Sequence, residues 1–251
     1  MEIHFEHTAV PQYKGALAFI LDGVLSQEEC DTLIKLAEQS TGIDPEKDNP
    51  WQPAMINGGI GYEFLDKTYR NSDRIIWDNP DLVSRLWQRC LQAEGIQEKI
   101  GELSDETHKQ VLTGYTENTK WVVTKQGWNE RMRFLKYSPG QFFKPHCDGA
   151  YRTEDGSQQS FFTAQLYLND SAQVLEAEGK GNISPDTLRG GATPFHSSNR
   201  EKRLDVDPKA GRVLIFQHRR LYHSGDEVTA GVKYTMRTDI MYELKKEESE
   251  V

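Results

Sequence analysis

His146 and Asp148 are separated by one residue in the run Arg131 to Tyr151, RMRFLKYSPGQFFKPHCDGAY. On an extended backbone their side chains point the same way. An imidazole beside a carboxylate supplies half of a binding face for a divalent metal. The third donor must come from far along the chain. His223, in RRLYHSGDEV, is the natural candidate, with His218 as its rival. Two histidines and one carboxylate that leave the other coordination positions open suit a non-haem Fe(II) centre. In a chain with seven histidines an H-x-D pair alone is weak evidence, so other residues must support it.

Such support requires elements that turn polar side chains toward the pair. Strands are predicted at 131–137, 142–146, 160–168, 191–196, 212–217 and 232–242, separated by Gly, Pro, Asn or Asp clusters. In the last of these, Tyr234, Met236, Ile240 and Tyr242 share one face, while Lys233, Thr235, Arg237 and Asp239 share the other. The 161–168 stretch repeats the split, with Phe162, Ala164, Leu166 and Leu168 against Thr163, Gln165 and Tyr167. If the apolar faces take helices, the polar faces meet either open solvent or a lumen holding a polar ligand. The metal set favours the lumen. A lysine buried there without an anion would cost several kcal/mol. Lys233, ten residues after His223, suits the far carboxylate of a dicarboxylate whose other end chelates the metal. Thr235 can add a hydroxyl. Arg237 competes for the role, could grip a substrate carboxylate instead, or could pair with Asp239.

The chain before residue 129 reads as support. A strand is expected in 17–24, then a helix behind the capping box of Ser26 and Glu29. A second helix follows Asn79-Pro80, with Leu82, Val83, Leu86, Trp87, Cys90 and Leu91 as its apolar stripe. The polar stretch from Asp44 to Arg74 is either a mobile functional loop or a strand-loop insert. Trp51, Tyr62, Arg70 and Arg74 within it are candidate substrate contacts. Its glycines (Gly58, Gly59, Gly61) lack the strand–helix context of a phosphate cradle. The segment 97–126 reads as a short helix followed by a strand. Helices first and short strands afterwards imply a mainly β fold with helices on one outer face. The expected organisation is a single domain over 1–251, with helical and loop support in 1–128, a β core in 129–243 and a solvated tail in 244–251.

At 251 residues and 36% hydrophobic, the chain can bury one full core. A net charge of −9 disfavours binding along a nucleic-acid backbone. No apolar run reaches the roughly 18 residues of a membrane span, and the start has no signal-peptide pattern. Three widely spaced cysteines argue for a reducing compartment, so a cytoplasmic protein is expected. Cys147, between two ligands, is expected to point away and pack, and His196 and His218 to be ordinary histidines. Oligomeric state is not specified.

Several blocks in order resemble one family: Tyr137-x-x-Gly140-x-x-Phe143-x-x-His146-x-Asp148, then Tyr167-Leu168-Asn169-Asp170 and Gly190-Gly191-x-Thr193-x-Phe195. Gly211 to Phe216, His223-x-Gly225 and Lys233 complete the series, and the opening helix SQEECDTLIKLAE is also similar. The family is the 2-oxoglutarate- and Fe(II)-dependent dioxygenase superfamily, in its prolyl 4-hydroxylase-like branch. The resemblance implies a double-stranded β-helix, the cupin-like jelly roll. It implies iron on His146, Asp148 and His223, and 2-oxoglutarate on Lys233, Tyr137, Tyr167 and Thr235. Thr193 and Phe195 would shape the lumen. The implied chemistry couples O2 and decarboxylation of 2-oxoglutarate to oxidation of a C–H bond, releasing succinate and CO2, with ascorbate as a possible reductant. The substrate would be a peptide or a small molecule, hydroxylated at a prolyl or other amino-acid-derived carbon. Natural-product desaturation, epoxidation or ring closure is the alternative, and a non-catalytic metal-binding module a further one. Two departures stand out. Phe143 replaces the aromatic hydroxyl many members carry, and the insert 171–189 is longer than usual, so it is expected near the barrel mouth.

Overall fold

The computed structural model describes residues 1–59, 62–114, 119–181 and 183–245. Gly61, Asn182 of the insert and residues 246–251 of the expected tail lie outside the described residues. Two facing sheets dominate. Among the described residues, nine strands form the larger sheet and five the smaller. The larger runs Ala18–Leu21, Val213–Gln217, Gln158–Tyr167, Lys233–Leu244, Arg131–Tyr137, Asp73–Asp78 and Gln52–Pro53. Lys120–Trp128 pairs with the far end of Lys233–Leu244 and carries Glu102–Ser104 with it. The smaller sheet is ordered Arg203–Val206, Thr193–His196, His223–Gly225, Phe142–His146 and Arg70–Asn71. This is the mainly β, jelly-roll arrangement expected from the sequence.

The helices cover the outer face of the larger sheet, as the alternation requires. Ser26 caps Gln27–Ser40 by accepting from the Glu29 amide, and the Glu29 side chain accepts from the Ser26 amide in return. Asn79 caps Pro80–Cys90 by accepting from the Leu82 amide, with proline in the first turn where its missing N–H is not needed. Glu29 also pairs with Arg89 at 2.6 Å, tying the two helices together. Cys30, Leu33, Ala37, Leu86 and Trp87 then pack on Phe162, Leu166, Met236 and Ile240 in one buried cluster. Gly127 permits a close approach: its φ is +79°, and a Cβ there would lie 2.0 Å from the Trp87 ring. Burying one large apolar side chain of this kind contributes roughly 1.5–3 kcal/mol, so the outer cluster is what holds the larger sheet in shape.

Two features differ from the sequence reading, and of its two alternatives for 44–74 the strand-bearing insert is the one found. Strands drawn from residues before 129 complete both sheets, so that region is more than helical and loop support. The Asp44–Arg74 stretch is a strand-rich insert, with Ile56–Gly59 and Tyr62–Phe64 forming their own hairpin. Among its described residues, the insert 171–189 does not line the cavity mouth. Ser171 caps the short helix Ala172–Ala177, Arg189–Gly190 pairs with Val228–Ala230, and Leu188 is buried against Leu135, Tyr137 and Val228. Apolar burial draws this segment to the closed end of the cavity rather than to its entrance.

Candidate active site

Cross-strand register assembles the site. In an antiparallel pair, residues directly opposite one another share a face. In the larger sheet Lys233 faces Tyr137, Thr235 faces Leu135 and Tyr167, and Arg237 faces Arg133 and Gln165. In the smaller sheet His146 lies opposite His223, and Phe143 opposite both Gly225 and Arg70. The two inner faces enclose one continuous space. Its inner part is lined by Lys233, Thr235, Tyr137, Leu135, Gln165 and Thr193. Its outer part, a chamber of about 400 Å³, is lined by Arg70, Arg74, Arg133, Arg237, Tyr69 and the Met55–Asn57 strand. Arg70, Phe143, His146, Asp148 and Arg237 border both.

The predicted ligand set converges. One donor atom from each of His146, Asp148 and His223 lies within 4.8 Å of the others. His146 Nε2 is 3.6 Å from Asp148 Oδ1, and His223 Nε2 is 3.7 Å from Asp148 Oδ2. Each histidine turns its Nδ1 to a backbone carbonyl, His146 to Lys144 at 2.8 Å and His223 to Leu221 at 3.0 Å. A carbonyl only accepts, so Nδ1 carries the proton and both Nε2 lone pairs face the carboxylate. Burial pushes the His223 imidazole down to about 4, which leaves that lone pair free at neutral pH. Burial would raise the Asp148 carboxyl, but the Arg237 guanidinium beside it outweighs that and holds the group well below the usual carboxylate range. Thr163 donates to Asp148 Oδ2 at 2.6 Å and Arg237 reaches Oδ1 at 3.1 Å, so the carboxylate is oriented from behind. Two neutral nitrogens and one anionic oxygen aimed at a common point fit Fe(II). His218 is not part of the set; its Nε2 lies 3.4 Å from Asp239. Phe143 stacks on His146 at 3.8 Å and keeps that ring in place without a hydroxyl.

The inner part fits a carboxylate. Lys233 is 2% exposed, and no carboxylate lies within 4.0 Å of its Nζ among the described residues. Asp226, the acid that acts on it through space, is taken by Arg203 at 2.6 Å. Burial pushes the Lys233 ammonium down to about 8. Nζ sits 5.2 Å from the Tyr137 ring centre and 5.7 Å from that of Tyr167, contacts worth roughly 0.5–2 kcal/mol each that soften the burial without neutralising it. A dianion such as 2-oxoglutarate would supply the missing charge. The Tyr167 hydroxyl is not free for that ligand, because it donates to Thr193 Oγ1 at 2.8 Å within the buried core. Tyr167 therefore offers a ring face rather than the expected hydrogen bond.

Other sequence candidates separate by position. Arg70, Arg74 and Arg237 line the outer chamber. Trp51 does not: it is 3% exposed, packs on Tyr234 at 5.7 Å and donates from Nε1 to Glu38 at 2.8 Å. Its polar sequence neighbours conceal a core tryptophan. Tyr62 stands on the outer hairpin, 61% exposed and stacked on Phe64, away from the chamber lining. Cys147 does not pack; it is exposed at the chamber wall, since the strand ends at His146 and the alternation ends with it. Sequence reasoning does not single out Arg133, Thr163 or Asp239 as site residues. The alternation of Arg131–Tyr137 holds the signal for Arg133, which shares a face with Tyr137.

Residues 132–238 match the model of the 2OG-Fe(II) oxygenase superfamily. Probable prolyl 4-hydroxylase 3 of Arabidopsis thaliana is 25% identical over 209 residues, covering 79% of this chain. The chain spans 57% of the length of that relative. A Pseudomonas putida prolyl-4-hydroxylase has a similar fold, with a TM-score of 0.51 and 15% identity over 89% of this chain and 91% of the other. A prolyl hydroxylase from Trichoplax adhaerens, solved with a hypoxia inducible factor oxygen degradation domain peptide fragment, gives a TM-score of 0.51 and 16% identity over 89% and 83%.

Proposed function

We infer that this chain, whose residues 132–238 match the 2OG-Fe(II) oxygenase superfamily model, is a 2-oxoglutarate-dependent dioxygenase of the prolyl 4-hydroxylase-like branch that hydroxylates a prolyl or other amino-acid-derived carbon. The observation that carries this is the pairing of two features in one cavity. Three donor atoms converge at its middle, and a buried ammonium without a counter-ion closes its inner end. When bound, Fe(II) with 2-oxoglutarate and O2 supplies the oxidising power, and succinate and CO2 are the co-products.

The protein's part is placement and exclusion. His146, Asp148 and His223 would hold the metal, with Nδ1 protons fixed on backbone carbonyls so that neither ring can turn its lone pair away. Thr163 and Arg237 keep the Asp148 carboxylate ionised and aimed. Lys233 would grip the distal carboxylate of 2-oxoglutarate, with Thr235 beside it and Tyr137 beneath. A charge-assisted bond of this kind is worth roughly 1.5–3 kcal/mol. Leu135, Leu188, Val228 and Phe143 wall this end with apolar surface and exclude water. Substrate would enter through the arginine-lined chamber, and the peptide-bound Trichoplax homologue supports a peptide or amino-acid substrate by analogy of fold alone.

Succinate formation from 2-oxoglutarate tests the reading, with Fe(II) added and withheld, across a screen of amino acids and proline-containing peptides. Iron-dependent succinate is expected, with stimulation by the true substrate. A chain that retains iron but never turns over 2-oxoglutarate would instead be a metal-binding interaction module.

A further inference from the structure

The outer chamber is positively charged in a chain of net charge −9. Arg70, Arg74, Arg133 and Arg237 line it, against the acids Glu63, Asp148 and Asp239. These cations are not equivalent. Arg74 is held by both oxygens of Glu63, at 3.1 and 2.9 Å. Arg237 pairs with Asp148, and Arg133 reaches Asp239 at 3.4 Å. Arg70 has no carboxylate within 4.0 Å among the described residues. One of its Nη atoms donates to the Met55 carbonyl at 3.2 Å, and its Nε is buried without a partner. Its guanidinium lies 4.6 Å over the Phe143 ring, and Phe143 in turn stacks on His146. A half-buried guanidinium with no carboxylate within 4.0 Å among the described residues thus stands one aromatic ring away from His146.

Charge counting says what it takes. The chamber lining carries one more cation than anion. A divalent metal on the triad and the Lys233 ammonium together add three positive charges, and 2-oxoglutarate removes two. The cavity keeps a surplus of two positive charges, which favours an anionic substrate. Resting on the proposed dioxygenase reading, we propose that Arg70 docks a carboxylate of the substrate, so that the substrate is a carboxylate-bearing amino acid rather than a prolyl unit internal to a peptide. Arginine presents parallel donors that match a carboxylate's two oxygens. A chamber of about 400 Å³ has room for an amino acid.

The test uses the full chain loaded with Fe(II) and 2-oxoglutarate. Succinate formed without added substrate reports on the dioxygenase reading by itself. Free amino acids, their primary amides and their N-acetyl acids are then compared by substrate-stimulated succinate formation, and by calorimetric titration without oxygen. The expected result is binding and stimulation by a free acid, at least tenfold weaker for its amide. The N-acetyl acid separates a free amino acid from a peptide C-terminus. Arg70→Gln should erase the preference for acid over amide, and Arg70→Lys should keep part of it. Equal treatment of acid and amide by the parent chain, or binding of no free acid at all, overturns the proposal. So does an Arg70→Gln variant that raises the KM for 2-oxoglutarate with the acid preference intact. Should Arg70→Gln not fold, the acid–amide comparison on the parent chain decides.

Discussion

The two ends of the cavity handle charge in opposite ways. At the inner end Lys233 sits among aromatic and aliphatic walls, with no carboxylate within 4.0 Å of its Nζ among the described residues. At the outer end several arginines are braced by acids, and one brace is Asp148 of the proposed metal triad. The inner end is therefore built for a single anion with a fixed position. The outer end is a network, in which removing one member leaves others unpaired. Asp239 shows the difference: it touches Arg133, Arg237 and His218 together, and Arg237 passes that support to Asp148. Loss of an inner-end residue should change one binding constant, whereas loss of an outer-end residue should change several.

Removing a metal ligand, where the two ends meet, should have the gravest consequence. Asp148→Ala or His223→Ala should abolish iron retention, measured as metal content after gel filtration, and with it all 2-oxoglutarate turnover. Next, Lys233→Met should raise the 2-oxoglutarate dissociation constant about 10- to 150-fold, from the roughly 1.5–3 kcal/mol of a charge-assisted bond, and leave iron content unchanged. Arg237→Gln should do the reverse, weakening iron about 10- to 100-fold, as loss of an outer partner of a metal ligand does. If the two variants exchange phenotypes, the assignment of the two ends is wrong.

A pH profile sharpens the inner end. Burial lowers the Lys233 ammonium to about 8, so the charged form that grips a carboxylate is full below that pH and lost above it. Bound 2-oxoglutarate would pull the proton back on. Affinity should therefore be flat up to about pH 7 and fall toward about tenfold per pH unit beyond about 8. Lys233→Met should remove the slope. The mildest change is expected at Trp51→Phe. It deletes the 2.8 Å hydrogen bond to Glu38 at a cost of about 1 kcal/mol in unfolding free energy, with substrate KM unchanged.

How much of this the sequence shows depends on whether local period or distant pairing sets the answer. The alternation of Lys233, Thr235 and Arg237 against Tyr234, Met236 and Ile240 places the polar face correctly, because a strand fixes its two faces over a few residues. The capping box at Ser26 is equally local, and it is present. Sequence alone leaves Arg237 open between substrate, cosubstrate and Asp239, since its 3.1 Å contact with Asp148 arises only when two sheets close on each other. The insert 171–189 defeats sequence reasoning for the same reason. Leu188 looks like any loop leucine until Val228 and Tyr137 are brought beside it. Trp51 misleads differently: polar neighbours hide a side chain that fills the space between the first long helix and Tyr234.

One measurement bears most directly on the division of labour between a metal triad and a buried lysine. It is the calorimetric titration of 2-oxoglutarate, without oxygen, into the parent chain with and without Fe(II), and into iron-treated Lys233→Met and His223→Ala. One strong site is expected in the iron-loaded parent, much weaker without iron and in Lys233→Met, and absent in His223→Ala. Affinity that is the same in all four samples would contradict it.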